Sequence, residues 1–178
     1  MGLTIQQKSL YVIIYNATQI SRSLGKTFSK DKDKLTNFKI EMFRLIKRLI
    51  SLMEDDKLEE KDILGAMEEL EAKFAVSFGQ AQKPINVILK YHFYLNKINN
   101  ERIRRLLNCP IDKVVLNRLN KLGVLKELEL DKEGLTGINR DYYDKLQGAI
   151  EKKSSVRIDF DKIWDEEILK RNKLLEII

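Results

Sequence analysis

Gly79-Gln80-Ala81-Gln82-Lys83-Pro84-Ile85-Asn86-Val87-Ile88-Leu89 is the stretch on which the reading of this chain turns. Proline suits a first helical turn, where its missing N–H would have had no intrahelical partner. The spacing therefore predicts a helix over residues 84–95, with Ser77-Phe78-Gly79 before it as a tight turn. A turn followed by a helix N-terminus exposes backbone N–H groups and a partial positive potential, which grips a phosphate without reading sequence. Gly79, Gln80, Ala81 and Gln82 would supply that grip. Lys83 stands at the same helix end, where its amine is a candidate nucleophile. Lys90 falls on the same face, about 10 Å further along the helix, in position to hold a second phosphate.

A second stretch supplies a partner. Cys109-Pro110-Ile111-Asp112 breaks one helix, residues 101–107, and Asp112 is placed to cap the next, which ends at Gly123. Working outward, apolar residues recur at three- and four-residue intervals over 3–21, with Gly25 as a stop, over 35–53 (Phe38, Met42, Leu45, Ile46, Leu49, Ile50), and over 59–74 (Ile63, Met67, Leu70, Phe74). Residues 26–34 read as a lysine-rich loop and 124–130 as a loop rather than a strand. Helices over 142–152 and from Ile163 or Trp164 to residue 177 complete the pattern. The fold expected is all-α, a single two-lobed globule: residues 1–75 form an N-terminal helical part, 76–126 one lobe, and 127–178 complete the other lobe.

Composition narrows the class. The chain has 178 residues, of which 43% are hydrophobic and 34% charged; that length buries about two-thirds of the unfolded surface in one core. A lone cysteine excludes a disulfide framework, a zinc ribbon and a four-cysteine iron–sulfur site. With Leu106 and Leu107 before it and Pro110 after it, Cys109 reads as a small buried hydrophobe in a reducing compartment. His92 is the single histidine, which disfavours a histidine-based metal site. No apolar run approaches the ~20 residues of a membrane span, and residues 1–7 lack a basic leader, so a cytoplasmic protein without a membrane partner is expected. The net charge of +6 is unevenly spread: residues 83–126 hold ten Lys or Arg against Glu101 and Asp112. Arg102, Arg105 and Lys113 lie in that segment, and its excess points to an anionic partner, with nucleic acid first.

The two stretches together resemble the helix-hairpin-helix DNA glycosylase superfamily. There a glycine-rich hairpin leads into a catalytic lysine and an Asn-Val-aliphatic-Leu helix, as Gly79 leads here to Lys83 and Asn86-Val87-Ile88-Leu89. Ile111-Asp112, followed by Val115-Leu116 and Asn120-Lys121-Leu122-Gly123, is similar to the superfamily's Val-Asp motif. The likeness covers residues 77–125, implies a helix-hairpin-helix-like motif in a DNA-facing lobe over residues 76–126, and looks strongest toward the compact archaeal 8-oxoguanine glycosylases. Ala81 stands where the hairpin usually has its second glycine. The Gly-x-Ala-Gln-Lys-x-x-Asn-x-x-Leu-Lys-Tyr pattern also resembles one in uncharacterised bacterial helical proteins.

The resemblance implies a base-excision glycosylase with AP lyase activity on double-stranded DNA, with neither cofactor nor metal. Lys83 would attack C1′ of the damaged nucleotide and Asp112 would support it. A target base must be flipped out of the stack, and Phe78, Tyr91 and Trp164 are candidate walls of its pocket, alongside Phe93 and Tyr142.

Two other readings stand beside it. Residues 99–107, the Cys109-Pro110-Ile111 turn and residues 112–122 also imitate a winged helix-turn-helix regulator, with a wing starting at Leu125. The third reading is a non-catalytic helical interaction protein.

Overall fold

The computed structural model describes residues 22–162 and, outside that span, residues 5, 8–10, 12, 13, 16 and 166. The expected helix over 3–21 is described only at those residues, all of them helical, and the one beyond Ile163 only at residue 166; Trp164 lies outside the described residues. The elements are all helical: α1 (Arg22–Thr27), α2 (Lys32–Glu54), α3 (Glu60–Phe74), α4 (Phe78–Leu95), α5 (Glu101–Leu106), α6 (Lys113–Lys121), α7 (Val124–Glu127) and α8 (Arg140–Ser154). Short 3₁₀ turns occupy Leu135–Gly137 and Arg157–Asp161, and no strand occurs among the described residues.

α2 starts at Lys32 because the Asp31 carboxylate accepts the Lys34 N–H at 2.7 Å, taking up one of the donors a helix start leaves without a partner. The lysine-rich loop is thus shorter than residues 26–34, and the chain passes through Gly25 still helical to Thr27. Phe38, Met42, Leu45, Ile46 and Leu49 on α2 meet Ile63, Met67, Leu70 and Phe74 on α3 in one core that continues to Tyr143, Leu146 and Ile150 on α8. Each such side chain removed from water contributes about 1.5–3 kcal/mol. α3 ends at Ala75, in the left-handed region at φ 52°, and residues 75–77 are the whole connection to α4.

That connection overturns the expected start of α4. The helix begins at Phe78, six residues before Pro84, so Ser77-Phe78-Gly79 is a cap and a first turn rather than a free hairpin. Ser77 Oγ accepts the Gln80 N–H at 3.2 Å and Gln80 Oε1 accepts the Ser77 N–H at 3.0 Å, a reciprocal capping box. Pro84 consequently sits inside the helix, where it offers no N–H to the Gln80 carbonyl. α6 follows its cap at Asp112 and ends as expected, with Gly123 at φ 76° past its C-terminus. Residues 124–127 form a helical turn where a loop was expected.

Candidate functional site

Residues 108–112 run between α4 and α8 and are held by two buried glutamines. Gln147 on α8 accepts the Cys109 N–H at 3.1 Å and donates to the Cys109 carbonyl at 2.7 Å. Gln82 on α4 does the same to Ile111, at 3.1 Å and 2.7 Å. Each carboxamide serves one residue's N–H and C=O together, satisfying backbone groups that would otherwise be buried without partners. Gln82 is positioned in turn by Asn86, whose Nδ2 donates to Gln82 Oε1 at 3.0 Å and to Tyr143 Oη at 2.9 Å.

The clamps fix the next residue, Asp112. Its Oδ1 accepts the N–H groups of Val114 and Val115 at 2.8 and 3.1 Å as the cap of α6. Its Oδ2 is left facing Lys83 Nζ at 3.5 Å. The pair is sheltered but open: the Lys83 side chain is 19% exposed and that of Asp112 10%. Both line a cavity of about 650 Å³, together with Lys26, Lys113, Lys132 and Glu133. Leu116 and Leu135 supply apolar wall. Four cations against two carboxylates make a basic cleft that suits an anionic ligand. An amine beside an oriented carboxylate can attack an electrophilic carbon while the carboxylate takes a proton or stabilises positive charge.

The other sequence candidates fall elsewhere. Gly79, Gln80, Ala81 and Gln82 are buried in the first turns of α4, and their N–H groups are not free for a phosphate: Gly79 donates to the Ile138 carbonyl at 2.9 Å, Ala81 to the Ser77 carbonyl at 3.0 Å, and Gln80 to its cap. Gln80 Nε2 is spent on Ser23 and Thr27 of α1, at 2.8 Å each. Gly79 is a glycine for packing, since a Cβ there would lie 2.2 Å from the Leu135 carbonyl oxygen. Lys90 is 4% exposed and pairs with Asp161 at 2.7 Å, closed off from any phosphate. Arg102 ties α5 to the turn after α2, through Asp56 at 2.6 Å and the Leu58 carbonyl at 2.9 Å. Arg105 is exposed and pairs with Glu101 at 3.1 Å. Lys113 alone of the proposed DNA contacts reaches the cleft.

The aromatic candidates are also displaced from it. Phe78 is fully buried, with its ring centroid 5.0 Å from that of Tyr143. Tyr91 is half-buried beneath Lys90 Nζ, 5.5 Å above its ring. Phe93 and Tyr142 belong to the core. Among the described residues no aromatic side chain lines the cleft. Cys109 is buried as expected, and burial first, then the nearby Asp161 and Asp112 charges, push its thiol well above the usual range. No group of His, Cys, Asp and Glu that could hold a metal occurs among the described residues, and none of their helices is long and apolar enough to cross a membrane.

Residues that sequence reasoning missed are the ones that build the site: Gln147, Tyr143, and Gln82 as a clamp rather than a DNA contact. The Ser77-x-x-Gln80 spacing was a legible capping-box signal. Gln147 had no such signal, because its partner lies 38 residues away in sequence. No protein-family model, curated protein or solved structure matches the chain.

Proposed function

We propose that the protein is a base-excision enzyme that removes a damaged base from double-stranded DNA and opens the strand through a lysine Schiff base. The observation that carries the reading is the Lys83 Nζ–Asp112 Oδ2 pair, 3.5 Å apart in a basic cleft and built from the two motifs that resemble the glycosylase superfamily. Lys83 Nζ forms its bond to C1′ as the bond to the base breaks, and the electron pair and a proton leave with the base. Asp112 Oδ2 is within reach to accept a proton from Nζ and stands beside the positive charge that develops on the sugar. Opening of the sugar ring gives an iminium. Loss of a C2′ proton then expels the 3′ phosphate, and water releases the lysine.

The anchoring of DNA differs from the family's. The hairpin amides are consumed within the protein, so Lys26, Lys113 and Lys132 around the cleft would carry the phosphate contacts. Leu116 and Leu135, rather than an aromatic, would wall the flipped base. The regulator reading loses its wing, because residues 124–127 are helical. The test is base release and strand cleavage on duplexes carrying 8-oxoguanine or an abasic site. Asp112→Asn should slow base release by about 10²–10⁴, and Lys83→Gln should abolish strand cleavage. Cleavage undiminished in Lys83→Gln would refute the lysine mechanism, and DNA binding with no chemistry on any lesion would favour a non-catalytic binding protein.

A further inference from the structure

Val115, Leu116 and Leu119 are the buried face of α6. The opposite face carries Lys113, Asn117, Arg118, Asn120 and Lys121, all exposed except the half-buried Asn117. None of these side chains has an ion pair or a hydrogen bond among the described residues. No acidic residue occurs between Asp112 and Glu127, so Lys113, Arg118, Lys121 and, on α7, Lys126 are not neutralised within their own segment.

Other helices of the protein treat their cations differently. Arg44 pairs with Glu41 on α2 at 2.5 Å, Arg105 with Glu101 on α5 at 3.1 Å, and on α8 Arg140 with Asp144 at 2.7 Å and Lys145 with Asp141 at 2.8 Å. Each pair is three or four residues apart, the spacing that stabilises a helix. On α6 the same spacing joins Arg118 to Lys121, two like charges that repel. The macrodipole favours both of them in the last turn but disfavours Lys113 in the first. Helix stability therefore does not explain the stripe.

Lys113 lines the Lys83 cleft and also opens the stripe, so cleft and stripe form one continuous surface. From Lys113 to Lys121 is about 12 Å along the helix axis, the rise of three to four nucleotides of one strand at ~3.4 Å each. Cations at both ends, with neutral amide donors between them, match a row of phosphates, the part of a duplex that is gripped without reading its sequence.

We propose that the outer face of α6 binds the phosphates of the duplex strand that runs on from the cleft, with Arg118 and Lys121 as its charged contacts. The assignment rests on the reading of the cleft as a DNA site and adds to it a docking surface remote from the lysine chemistry. The test is the affinity of the full chain for a short undamaged duplex over a series of salt concentrations. Each phosphate contact contributes about 0.9 to the slope of log affinity against log salt. Arg118→Gln with Lys121→Gln should therefore flatten the slope by about 1.8, so that between ~50 and ~200 mM salt the wild type loses about 12-fold more affinity than the double variant. Lys47→Gln with Arg48→Gln removes the same charge from α2, which does not line the cleft, and should leave the slope unchanged. All four residues are exposed, so neither variant removes a core contact.

An unchanged slope in the α6 variant, an equal flattening in the α2 variant, or a wild type that binds phosphatidylserine vesicles and not the duplex would each overturn the proposal. Because the duplex is undamaged, chemistry is judged separately. A flattened slope without a borohydride adduct on abasic DNA would leave this surface standing and remove the lyase; an adduct with an unchanged slope would do the reverse.

Discussion

The α2–α3 pair and α4 are built on opposite principles. α2 and α3 bury Phe38, Met42, Leu45, Ile63, Met67 and Leu70, apolar side chains at helical spacing that need only shape and volume. α4 buries Gln80, Gln82, Asn86 and Lys90 as well as its apolar residues, and each polar group reaches a different partner segment. Gln80 holds α1, Gln82 holds residue 111, Asn86 holds Tyr143 and Lys90 holds Asp161. The apolar pair gives the globule its stability. The polar helix specifies where the connecting segments lie, and through residues 108–112 it sets Asp112 against Lys83.

That contrast can be broken most severely at Lys90. Lys90→Met should break the buried Lys90–Asp161 ion pair and cost about 3–5 kcal/mol in urea unfolding. Adding Asp161→Leu to the same chain should recover most of it, whereas no second substitution is expected to rescue Leu45→Ala, which loses about 2–5 kcal/mol to a cavity. If Lys90→Met were neutral, α4's polar groups would not be specifying anything. Gly79→Ala comes next, at about 1–3 kcal/mol, because its methyl would collide with the Leu135 carbonyl; thermal melts should show the loss.

The smallest effect is one of pH. Burial pushes the His92 imidazole below its usual 6.5, against the pull of Glu54. The unfolded chain therefore takes up this proton more readily than the folded one. The His92 contribution is complete above about pH 6.5 and is lost as pH falls toward the lower folded value. His92→Gln should flatten the decline in stability between about pH 7.5 and pH 5 without changing the neutral value by more than a few tenths of a kcal/mol. An unchanged slope would remove His92 from the account.

What was legible in the sequence follows the same division. Apolar periodicity placed α2, α3, α5, α6 and α8 to within a few residues, since a 3.6-residue repeat is a local signal. Asp112 as a cap and Gly123 as a stop were equally local. The start of α4 was misread because Pro84 looked like a first-turn residue, while the Ser77–Gln80 capping box, three residues apart, fixed the true start. Lys83 and Asp112 were each identified, and the structure brings them within 3.5 Å. The phosphate grip was not there, because Leu135 and Ile138, more than 50 residues away, occupy the first turn of α4. Nor did the basic count survive folding intact: Lys90, Arg102 and Arg104 are matched by Asp161, Asp56 and Asp159 from outside the segment. Partners that depend on tertiary packing leave no mark at fixed spacing.

The central claim is that Lys83, held against Asp112, is a nucleophile toward the sugar of a damaged nucleotide. The most direct measurement is borohydride reduction of the protein mixed with duplex DNA containing an abasic site. The account predicts a covalent protein–DNA adduct that maps to Lys83, is absent in Lys83→Gln, and still forms when Lys113 is replaced by Gln. An adduct that persists in Lys83→Gln, or none in the wild type while it binds the same duplex, would contradict it.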